Sequence, residues 1–391
     1  MRVLDMSRLF PGPYCACILG DFGAEVIKIE SPGAGDWVRH TPPLTDSGEG
    51  LLFHALNRGK QSLTLNLKSE EGRTILLRLV ETADVLIEGF RPGVMERLGL
   101  GYDVLKAVKP DLIYLSSSAC GQTGPERQYV GYAPTFAALG GISFITGYED
   151  WPPSNFMGSI DLRSATTSAF AILAALCHRQ RTGEGQYVDL ASQETIAVMI
   201  GESLLDYTMN NRVQMRQGNR DEIMAPHNCY RCRGLDRWIS IAVATQEEWQ
   251  ALCKVMGKPE LSRDERFADG YGRWTHQDEL DRIINEWTMQ LEDYTVMEVL
   301  QKAGVAATPT LNSEDLFKDP HLKEREVYRT VDHPLMGKNW VIAPPWRMSA
   351  TPAEISRHAP LLGEHNDQIF HGLLGMSREE IKDLEEQQVI Y

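Results

Sequence analysis

The feature that most constrains the fold is the regular alternation of short apolar strands and helices over the first 120 residues. The pattern predicts a strand beginning at Val3 and further strands at 24–30, 62–67, 84–88 and 112–117, with helices between them at 14–20, 70–83 and 94–98. Strands that alternate with helices at this spacing form a parallel sheet covered by helices on both faces. Such sheets bind ligands at the carboxyl ends of their strands, so we look for a functional site in the loops there.

The rest of the chain extends this domain and adds a second one. A long helix with an apolar stripe is predicted from Leu162 to about Gln180, followed by a strand at 186–190 and a helix to about Met209. Beyond residue 215 the pattern changes, and 391 residues exceed what one hydrophobic core usually supports. We therefore predict an α/β fold. A Rossmann-like parallel-sheet large domain covers residues 1–215 and is completed by 331–391, and a small α+β domain covers 216–330.

Charge and motifs exclude several classes of ligand. The formal net charge is −15, which argues against a nucleic-acid partner because neutralising phosphates along a strand needs a basic surface. A few local Arg and Lys residues can still hold a small anionic ligand. No G-x-G-x-x-G follows the first strand and no G-x-x-x-x-G-K-[ST] occurs, so the usual marks of dinucleotide and nucleoside triphosphate sites are absent from the sequence.

Cysteine usage and hydropathy indicate the compartment. The seven cysteines are scattered and odd in number, which is typical of a reducing compartment. Cys229 and Cys232 form the one C-x-x-C pair, but a zinc site needs a second pair or a spaced pair of histidines, so no metal site is predicted. No apolar run approaches the ~18 residues of a membrane helix, and the N-terminus does not resemble a signal peptide. We expect a cytoplasmic protein without a membrane partner.

One carboxylate stands where a long helix is predicted to begin. Gly158-Ser-Ile-Asp161 leads directly into the alanine-rich helix. Taken alone, Asp161 is best interpreted as the N-cap of that helix, because an acceptor side chain is favoured there. A carboxylate at a helix N-terminus is also kept ionised and fixed in orientation, and both properties suit a nucleophile. The residue pattern is compatible with both interpretations.

Several motifs, in a fixed order along nearly the whole chain, resemble one family. They are Val3-Leu-Asp-Met-Ser-Arg-Leu-Phe-Pro-Gly-Pro13, Leu19-Gly-Asp-Phe-Gly-Ala-Glu-Val-Ile-Lys-Ile-Glu30, Asn57-Arg-Gly-Lys60, Leu65-Asn-Leu-Lys68, Asp84-Val-Leu-Ile-Glu-Gly-Phe-Arg-Pro-Gly93, Gly121-Gln-Thr-Gly-Pro125 and Thr182-Gly-Glu-Gly-Gln-Tyr-Val-Asp189. On these motifs the chain resembles the class III CoA-transferases, the family of formyl-CoA and carnitine CoA-transferases, with the related α-methylacyl-CoA racemases.

The resemblance implies a set of functional residues. Asp161 stands eleven residues before Ile172–Leu176, the place of the family's nucleophilic aspartate. The positions that match the family's CoA contacts are Leu9, Phe10, Pro11, Leu65, Lys68, Gly89, Phe90 and Arg97. Lys and Arg suit the phosphates, and Phe90 an apolar part of CoA. The resemblance further implies CoA or acyl-CoA as a substrate, no tightly bound cofactor, and an interlocked homodimer.

Departures from the relatives narrow the function. The racemases pair their aspartate with a histidine some thirty residues earlier, but the stretch 131–141 contains none, which favours transfer over racemisation. Formyl-CoA transferase has a glutamate where Ala133 stands, and the apolar run from Phe136 suggests a larger or aromatic acyl group. We expect CoA transfer between an acyl-CoA donor, with succinyl-CoA as a candidate, and a carboxylic acid. The alternatives are a racemase or epimerase and a non-catalytic subunit of a hetero-oligomeric transferase.

The expected mechanism is a covalent relay through an aspartyl anhydride and an aspartyl-CoA thioester. Each tetrahedral species in such a relay needs hydrogen-bond donors for its oxyanion. Backbone N–H groups at Gly140-Gly141 or in the turn 218–220 are the candidates in the sequence.

Overall fold

The computed structural model describes residues 1–33, 35–154, 159–355 and 357–391. The chain divides into two compact units, one made of Met1–Ile142, Asn155–Leu205 and His321–Tyr391, the other of Ser143–Ser154 and Asp206–Pro320. The predicted boundaries, after residues 215 and 330, each lie ten residues further along the chain than the observed ones. The short segment 143–154 belongs to the second unit, which the sequence did not indicate.

A six-stranded parallel sheet forms the centre of the first unit. Its strands are β1 (Arg2–Asp5), β2 (Glu25–Glu30), β3 (Gln61–Thr64), β4 (Val85–Glu88), β5 (Ile113–Ser118) and β6 (Gln186–Ala191). They lie in the order β3-β2-β1-β4-β5-β6, and every neighbouring pair is parallel. The predicted Rossmann-like fold class is therefore confirmed.

Helices connect these strands and extend beyond them. Up to residue 210 they are α1 (Pro11–Asp21), α2 (Leu51–Asn57), α3 (Glu70–Glu81), α4 (Val94–Arg97), α5 (Tyr102–Val108), α6 (Ala133–Leu139), α7 (Ile142–Ile145), α8 (Ser159–Thr182), α9 (Ser192–Met199) and α10 (Gly201–Asn210), with a 3-10 turn at Trp37–His40. The predicted helix after β6 is thus two helices, interrupted at Ile200.

Side chains alternate between the two faces of the sheet, and each face has its own core. Leu4, Ile27 and Leu86 point into a cluster with α3, α5 and the C-terminal residues 369–390. Their neighbours Val3, Val26 and Val85 point into a second cluster with α1 and α8. Because both faces are covered, the strands are nearly continuous apolar runs, which is why the sequence pattern indicated them clearly.

Helix α8 is the longest element and packs on the second face. Ala165, Ala169 and Ile172 lie in the core with α1 and the sheet. The segment Ile160–Thr182 is also long and apolar enough, by length and composition alone, to cross a membrane, a feature that the search for continuous apolar runs did not detect. Alanines explain the difference, since they raise the mean hydropathy of the helix without forming a run of large apolar side chains.

The second unit contains a three-stranded antiparallel sheet, with β7 (His227–Arg231), β8 (Trp238–Ala242) and β9 (Ala306–Pro309) in that order. Its helices are α11 (Gln246–Val255), α12 (Gly270–Thr275), α13 (Gln277–Thr288), α14 (Asp293–Lys302) and α15 (Ser313–Lys318), with a 3-10 turn at Pro259–Arg263. Cys229 and Cys232 are three residues apart in extended chain, so their side chains point to opposite faces and do not form a chelating pair.

The C-terminal part returns to the first unit through elements that the sequence, apart from a closing helix from Ser377, did not predict. After α16 (Pro320–Glu324) come the antiparallel strands β10 (Tyr328–His333) and β11 (Gly337–Ile342), a π-helical turn at Gln368–Leu373 and α17 (Arg378–Glu386). Only three of the twelve strand residues of the hairpin are buried, so its apolar pattern is weak. The predicted closing helix after Ser377 is confirmed, and the Ser377 hydroxyl caps it.

Candidate active site

The carboxyl-end edge of the large sheet gathers most of the predicted site residues. Leu9, Phe10 and Pro11 follow β1, whereas Gly89 and Phe90 follow β4. The chain turns from β1 towards β2 on one side, and β4 lies on the other side, so the strand order reverses between β1 and β4. Crevices at such a switch point are where open α/β sheets bind ligands.

The loop between β1 and α1 is held in an unusual conformation. Leu9 has a φ of 66°, in the left-handed region that β-carbon sterics disfavour for leucine. Its N–H donates to Asp36 Oδ1 at 3.2 Å. At Gly12 an added Cβ would lie 2.2 Å from Ser7 Cβ, so only glycine fits where α1 begins. Strained, over-determined backbone of this kind is concentrated at ligand-binding sites.

Two buried lysines hold this loop through hydrogen bonds to its main chain. Lys60 Nζ donates to Asp5 Oδ2 and to the Pro13 carbonyl at 2.7 Å each, and to Asn57 Oδ1 at 2.8 Å. Its side chain is 1% exposed and that of Asp5 is fully buried. Burial alone would raise the pKa of Asp5, but Lys60 and Lys28 outweigh it and hold the pKa below the usual value. Asp5 therefore remains a carboxylate, and the pair joins the end of β1 to the start of α1.

Lys28 makes the second connection. Its Nζ donates to the Ser7 carbonyl and to Asp36 Oδ2, both at 3.0 Å. Asp36 thus contacts Lys28 with one oxygen and the Leu9 N–H with the other. Both side chains of this ion pair are fully buried. The loop Ser7–Pro13 is therefore attached to the sheet at both ends by charge-assisted hydrogen bonds.

The loop after β4 has a similar support. Glu88 is 3% exposed and accepts the N–H of Phe90 at 2.7 Å, which fixes the turn through Gly89. Burial raises the pKa of Glu88 to about 7. The Arg8 guanidinium lies 5.8 Å from the centre of the Phe90 ring, so the loops after β1 and β4 meet through this cation–π contact.

The remaining predicted CoA contacts differ in accessibility. Lys68, just after β3, and Arg97, at the end of α4, are both exposed. Neither side chain forms an ion pair with any residue in the described ranges, so both charges are available to a phosphate. Leu65 differs from them, since its side chain is 1% exposed and packs in the core. Any contact of Leu65 with CoA would involve its main chain.

We expect Arg97→Ala to raise the KM for an acyl-CoA about ten- to hundredfold and to leave kcat nearly unchanged, because one charge-assisted bond to a phosphate contributes about 1.5–3 kcal/mol. Steady-state kinetics with varied acyl-CoA measures this. Arg181→Ala is the matched control, since Arg181 is an exposed arginine in the last turn of α8, away from the predicted CoA contacts. Equal KM values in both variants would contradict the assignment.

Asp161 lies in the first turn of α8, which begins at Ser159. The prediction that Asp161 is the N-cap is therefore wrong by at least three residues, and Gly158 lies outside the described residues. A first-turn carboxylate still interacts favourably with the helix dipole. None of the described residues gives the Asp161 carboxylate a hydrogen bond or an ion pair. Burial alone raises its pKa to about 6.

The course of α8 shows which edge of the sheet Asp161 occupies. Near the end of the helix, Arg179 pairs with Asp84 at 2.8 Å, and Asp84 immediately precedes β4. The helix rises about 27 Å between residues 161 and 179, longer than the strand beside it. One turn after Asp161, Ser164 Oγ donates at 3.1 Å to Ser192 Oγ, which immediately follows β6. Asp161 is therefore at the carboxyl-end edge, as are the loops after β1 and β4.

Most of the predicted oxyanion donors are otherwise engaged. The Gly140 N–H donates to the Phe136 carbonyl at 2.7 Å, and the Gly141 N–H to the Ala138 carbonyl at 3.2 Å. An added Cβ at Gly140 would lie 2.6 Å from Ile196, so close packing of α6 against α9 accounts for this glycine. In the other candidate turn, Gly218 N–H donates to the Gly147 carbonyl. These amides are not free to bind an oxyanion in this conformation.

Comparison with known families identifies the family of the chain. The model of CoA-transferase family III matches residues 1–366. The chain belongs to this family. It is 37% identical to succinyl-CoA–D-citramalate CoA-transferase of Chloroflexus aurantiacus, over 100% of this chain and 97% of that protein. It is likewise 37% identical to succinyl-CoA:mesaconate CoA-transferase of Haloarcula marismortui, over 95% and 94% of the two chains.

Solved structures of the family share the fold. A CAIB/BAIF family protein from Brucella suis superposes with a TM-score of 0.88 at 34% identity, over 95% of this chain and 98% of the other. Rv3272 from Mycobacterium tuberculosis superposes with a TM-score of 0.81 at 30% identity, over 94% and 97%. The chain is thus a class III CoA-transferase, and CoA thioesters are the substrates of its family.

The buried charges of this class III CoA-transferase were not assigned a role from sequence. Lys28 interrupts the apolar strand Val26-Ile-Lys-Ile29, and Glu88 ends the apolar strand β4. A charge inside a strand whose two faces are covered must have a buried partner. That signal was present in the sequence, although it does not say which residue is the partner.

Proposed function

We propose that this chain transfers CoA from succinyl-CoA to a small dicarboxylic acid through a covalent intermediate on Asp161. The observation that carries the proposal is the position of a partly desolvated carboxylate, with no hydrogen-bonding partner among the described residues, at the same sheet edge as the loops predicted to hold CoA. A carboxylate retained without a hydrogen-bonding partner contributes little to stability, and perturbed groups of this kind are concentrated at catalytic sites.

The relay begins with attack of an Asp161 carboxylate oxygen on the thioester carbonyl of the donor. The C–S bond breaks, giving a mixed anhydride and CoA thiolate. The thiolate then attacks the aspartyl carbonyl, the anhydride C–O bond breaks, and the donor acid leaves as its carboxylate. The acceptor carboxylate attacks the resulting aspartyl-CoA thioester and expels the thiolate. Attack of the thiolate on the acceptor acyl carbon releases the new acyl-CoA and restores Asp161, with no net proton change.

The pKa of Asp161 suits this role. With a pKa of about 6, about nine-tenths of the side chain is ionised at pH 7. We expect the rate of the first half-reaction to fall tenfold per pH unit below about pH 6, because the protonated carboxyl is not a nucleophile. Single-turnover release of CoA between pH 4.5 and 8 measures the profile. A rate that stays flat to pH 4.5 would contradict an aspartate of raised pKa as the nucleophile.

The same pKa predicts the effect of Asp161 on stability. The folded state binds the proton more tightly than the unfolded state, so the ionised form costs stability above about pH 6 and the cost disappears towards pH 4. We expect Asp161→Asn to stabilise the protein by about 1–2 kcal/mol at pH 8, allowing for partial exposure, and by less at pH 4.5. Loss of a stabilising helix cap would instead cost about 1 kcal/mol. The change in Tm of Asp161→Asn at the two pH values distinguishes a desolvated carboxylate from a stabilising cap.

The substrates are inferred from the relatives. Besides the citramalate and mesaconate enzymes, the beta subunit of a succinyl-CoA–L-malate CoA-transferase of Chloroflexus aurantiacus is 34% identical over 100% of this chain and 97% of that protein. Their names share a succinyl-CoA donor and a dicarboxylate of four or five carbons. Phe136, part of the run that suggested a larger acyl group, packs with Ile142, Ile160 and Ile196, which leaves its ring little freedom to line a substrate pocket.

CoA itself is proposed to lie along the carboxyl-end edge. Leu9–Pro11 and Gly89–Phe90 would hold the body of the molecule between β1 and β4, and Lys68 and Arg97 would neutralise its phosphates. From β1 to β6 the edge spans three strand spacings, about 14 Å, so an extended pantetheine arm would run from these loops towards Asp161.

The direct test of the function is transfer from succinyl-CoA to a panel of acids, with product acyl-CoA separated by chromatography. We expect mesaconate, citramalate, malate or glutarate to be an acceptor and monocarboxylic aromatic acids to be poor ones. The same acyl-CoA incubated in deuterated water without an acceptor should take up no deuterium at its α-carbon. Deuterium uptake without CoA transfer would instead show a racemase or epimerase.

An oligomer is also part of the proposal, because much apolar surface is uncovered in one chain. Helix α10 has no buried residue although it contains Leu204, Leu205 and Met209, which are 49%, 60% and 78% exposed. On α8, Phe170 is 73% exposed. Surfaces of this kind are usually interfaces. A second copy of the chain, in the interlocked arrangement that the family resemblance implies, is the proposed cover.

Light scattering of the purified chain tests this arrangement. A homodimer is expected, and Leu205→Glu combined with Met209→Glu should weaken it. A single chain that is fully active as a monomer would contradict it, whereas activity only after adding a homologous chain would show a hetero-oligomer. The seven cysteines are all unpaired, which supports the further proposal of a reducing, cytoplasmic location.

A further inference from the structure

A second cluster of polar side chains lies in the first unit, outside the proposed catalytic edge. His54 is on α2, His333 ends β10, and Glu49 lies in the loop before α2. His54 and His333 are 7% and 3% exposed, and the Glu49 side chain is 19% exposed. One potential ligand atom from each of the three lies within 4.8 Å of both others.

These atoms converge without pairing. Glu49 Oε2 lies 3.2 Å from His54 Nε2 and 3.7 Å from His333 Nε2. All three atoms are buried, and none makes a hydrogen bond of acceptable geometry to a described residue. The 3.2 Å between Glu49 Oε2 and His54 Nε2 is a hydrogen-bonding distance, so it is the angle at the ring nitrogen that prevents a hydrogen bond. The imidazole nitrogen does not point at the oxygen.

We propose that Glu49, His54 and His333 bind a divalent cation, with zinc the best fit. Two His nitrogens and one carboxylate oxygen are a common zinc ligand set. Ligand atoms about 2.0–2.2 Å from a tetrahedral zinc are about 3.3–3.5 Å apart, and the two observed separations of 3.2 and 3.7 Å bracket this value. A water molecule that hydrogen-bonded to all three atoms would hold them further apart.

The protonation of the ligands fits metal binding. Burial lowers the pKa of both His54 and His333, so both rings are neutral at pH 7 and can donate a lone pair. Binding through His333 Nε2 puts the ring proton on Nδ1. The Leu335 N–H, which now donates to Nδ1 at 3.2 Å, must then turn away. Leu335 lies in the short turn between β10 and β11, where such a change is local.

The other charged groups around the cluster are already engaged. His358 packs against His333 with ring centres 4.7 Å apart, but its Nδ1 contacts the Ala359 carbonyl at 2.8 Å and its Nε2 lies 3.4 Å from Glu364. Arg39 is bound to Glu30 through two hydrogen bonds. The fourth ligand is therefore proposed to be water, reaching the ion on the side of the partly exposed Glu49.

The proposed ion would attach the β10–β11 hairpin to α2. Because the ligands come from segments about 280 residues apart in sequence, the ion would connect the C-terminal part of the chain to the sheet domain. This inference does not depend on the transfer chemistry, and it departs from the sequence-based expectation of no metal, which considered only Cys229 and Cys232.

Metal stoichiometry and affinity test the inference. The full chain, stripped with a chelator and then dialysed, is titrated with Zn²⁺ against a chromophoric competitor and examined by elemental analysis. One equivalent is expected, with a rise in Tm on binding. Tetrahedral visible absorption is expected with Co²⁺. Affinity should fall at least about tenfold in His54→Ala, His333→Ala and Glu49→Gln, and should be unchanged in His321→Ala, a histidine on the exposed α16.

Absence of a bound equivalent would overturn the site, as would zinc that the three ligand variants retain, since that zinc would be at cysteines or other surface groups. If either His variant does not fold, Glu49→Gln decides, because Glu49 lies in a loop and the substitution keeps its shape. Faster hydrogen exchange in the peptide containing Leu335 on zinc binding provides an independent readout, and unchanged exchange there would contradict ligation through His333 Nε2.

Discussion

Asp161→Ala is expected to lower kcat for CoA transfer by at least about 10⁴-fold, because removing the nucleophile of a covalent mechanism leaves only binding and positioning. The KM for the acyl-CoA should change little, since the proposed CoA contacts lie in other loops. The protein should remain folded, because the described residues give the Asp161 carboxylate no hydrogen bond or ion pair to lose. Steady-state transfer assays with varied succinyl-CoA measure both constants.

Asp103→Ala is the matched control for this experiment. Asp103 is an exposed aspartate in the first turn of α5, so it has the same helix position without the proposed role. Its loss should leave the transfer rate within about twofold of the wild-type rate. Asp161→Glu adds a further test, since one extra methylene displaces the oxygen and should still cost several orders of magnitude. A fully active Asp161→Ala variant would exclude the relay.

Lys60→Met is expected to have the largest effect on stability. The substitution keeps the length of the side chain but removes the charge that contacts Asp5, Asn57 and the Pro13 carbonyl. Breaking a buried ion pair by removing one partner costs about 3–5 kcal/mol, because the other charge is left without compensation. We expect that loss in the free energy of unfolding measured by urea denaturation, together with a raised KM for CoA from the loosened loop Ser7–Pro13.

Lys318→Met is the control, since Lys318 forms an exposed ion pair with Glu314 on α15 and its loss should leave the unfolding free energy nearly unchanged. Asp5→Asn separates the two roles of the network: it removes the charge of Asp5 but keeps an acceptor oxygen for Lys60. If Lys60→Met unfolds at the same urea concentration as the wild type, the buried pair does not support the fold.

The fold was predictable because strands that are buried on both faces of a sheet appear in the sequence as continuous apolar runs. The strands β1, β2, β4 and β5 are nearly continuous apolar runs separated by helices, and this pattern indicates a parallel sheet without ambiguity. The start of α8, predicted at Leu162 and found at Ser159, was placed three residues late. Ser159 and Asp161 are both favoured at helix N-termini, so propensity does not decide between them. The hairpin β10–β11, with few buried residues, has no such apolar pattern and was not predicted.

The candidate site was only partly predictable, for a physical reason. Family motifs indicated Asp161 and the loops after β1 and β4, but what holds those loops depends on contacts between distant residues. Lys28 and Asp36 are eight residues apart, whereas Lys60 and Asp5 are 55 apart. A sequence shows that a buried charge needs a partner without showing which one. The cluster of Glu49, His54 and His333 likewise exists only because the C-terminal hairpin returns to α2.

The most direct test of the central claim is to trap the intermediate. The enzyme is incubated with succinyl-CoA without an acceptor, treated with hydroxylamine or borohydride, digested, and analysed by peptide mass spectrometry. The proposal predicts a hydroxamate or a reduced side chain at Asp161 alone, dependent on succinyl-CoA and absent from Asp161→Asn. An unmodified Asp161 in an enzyme that is transferring CoA, or modification at another carboxylate, would contradict it.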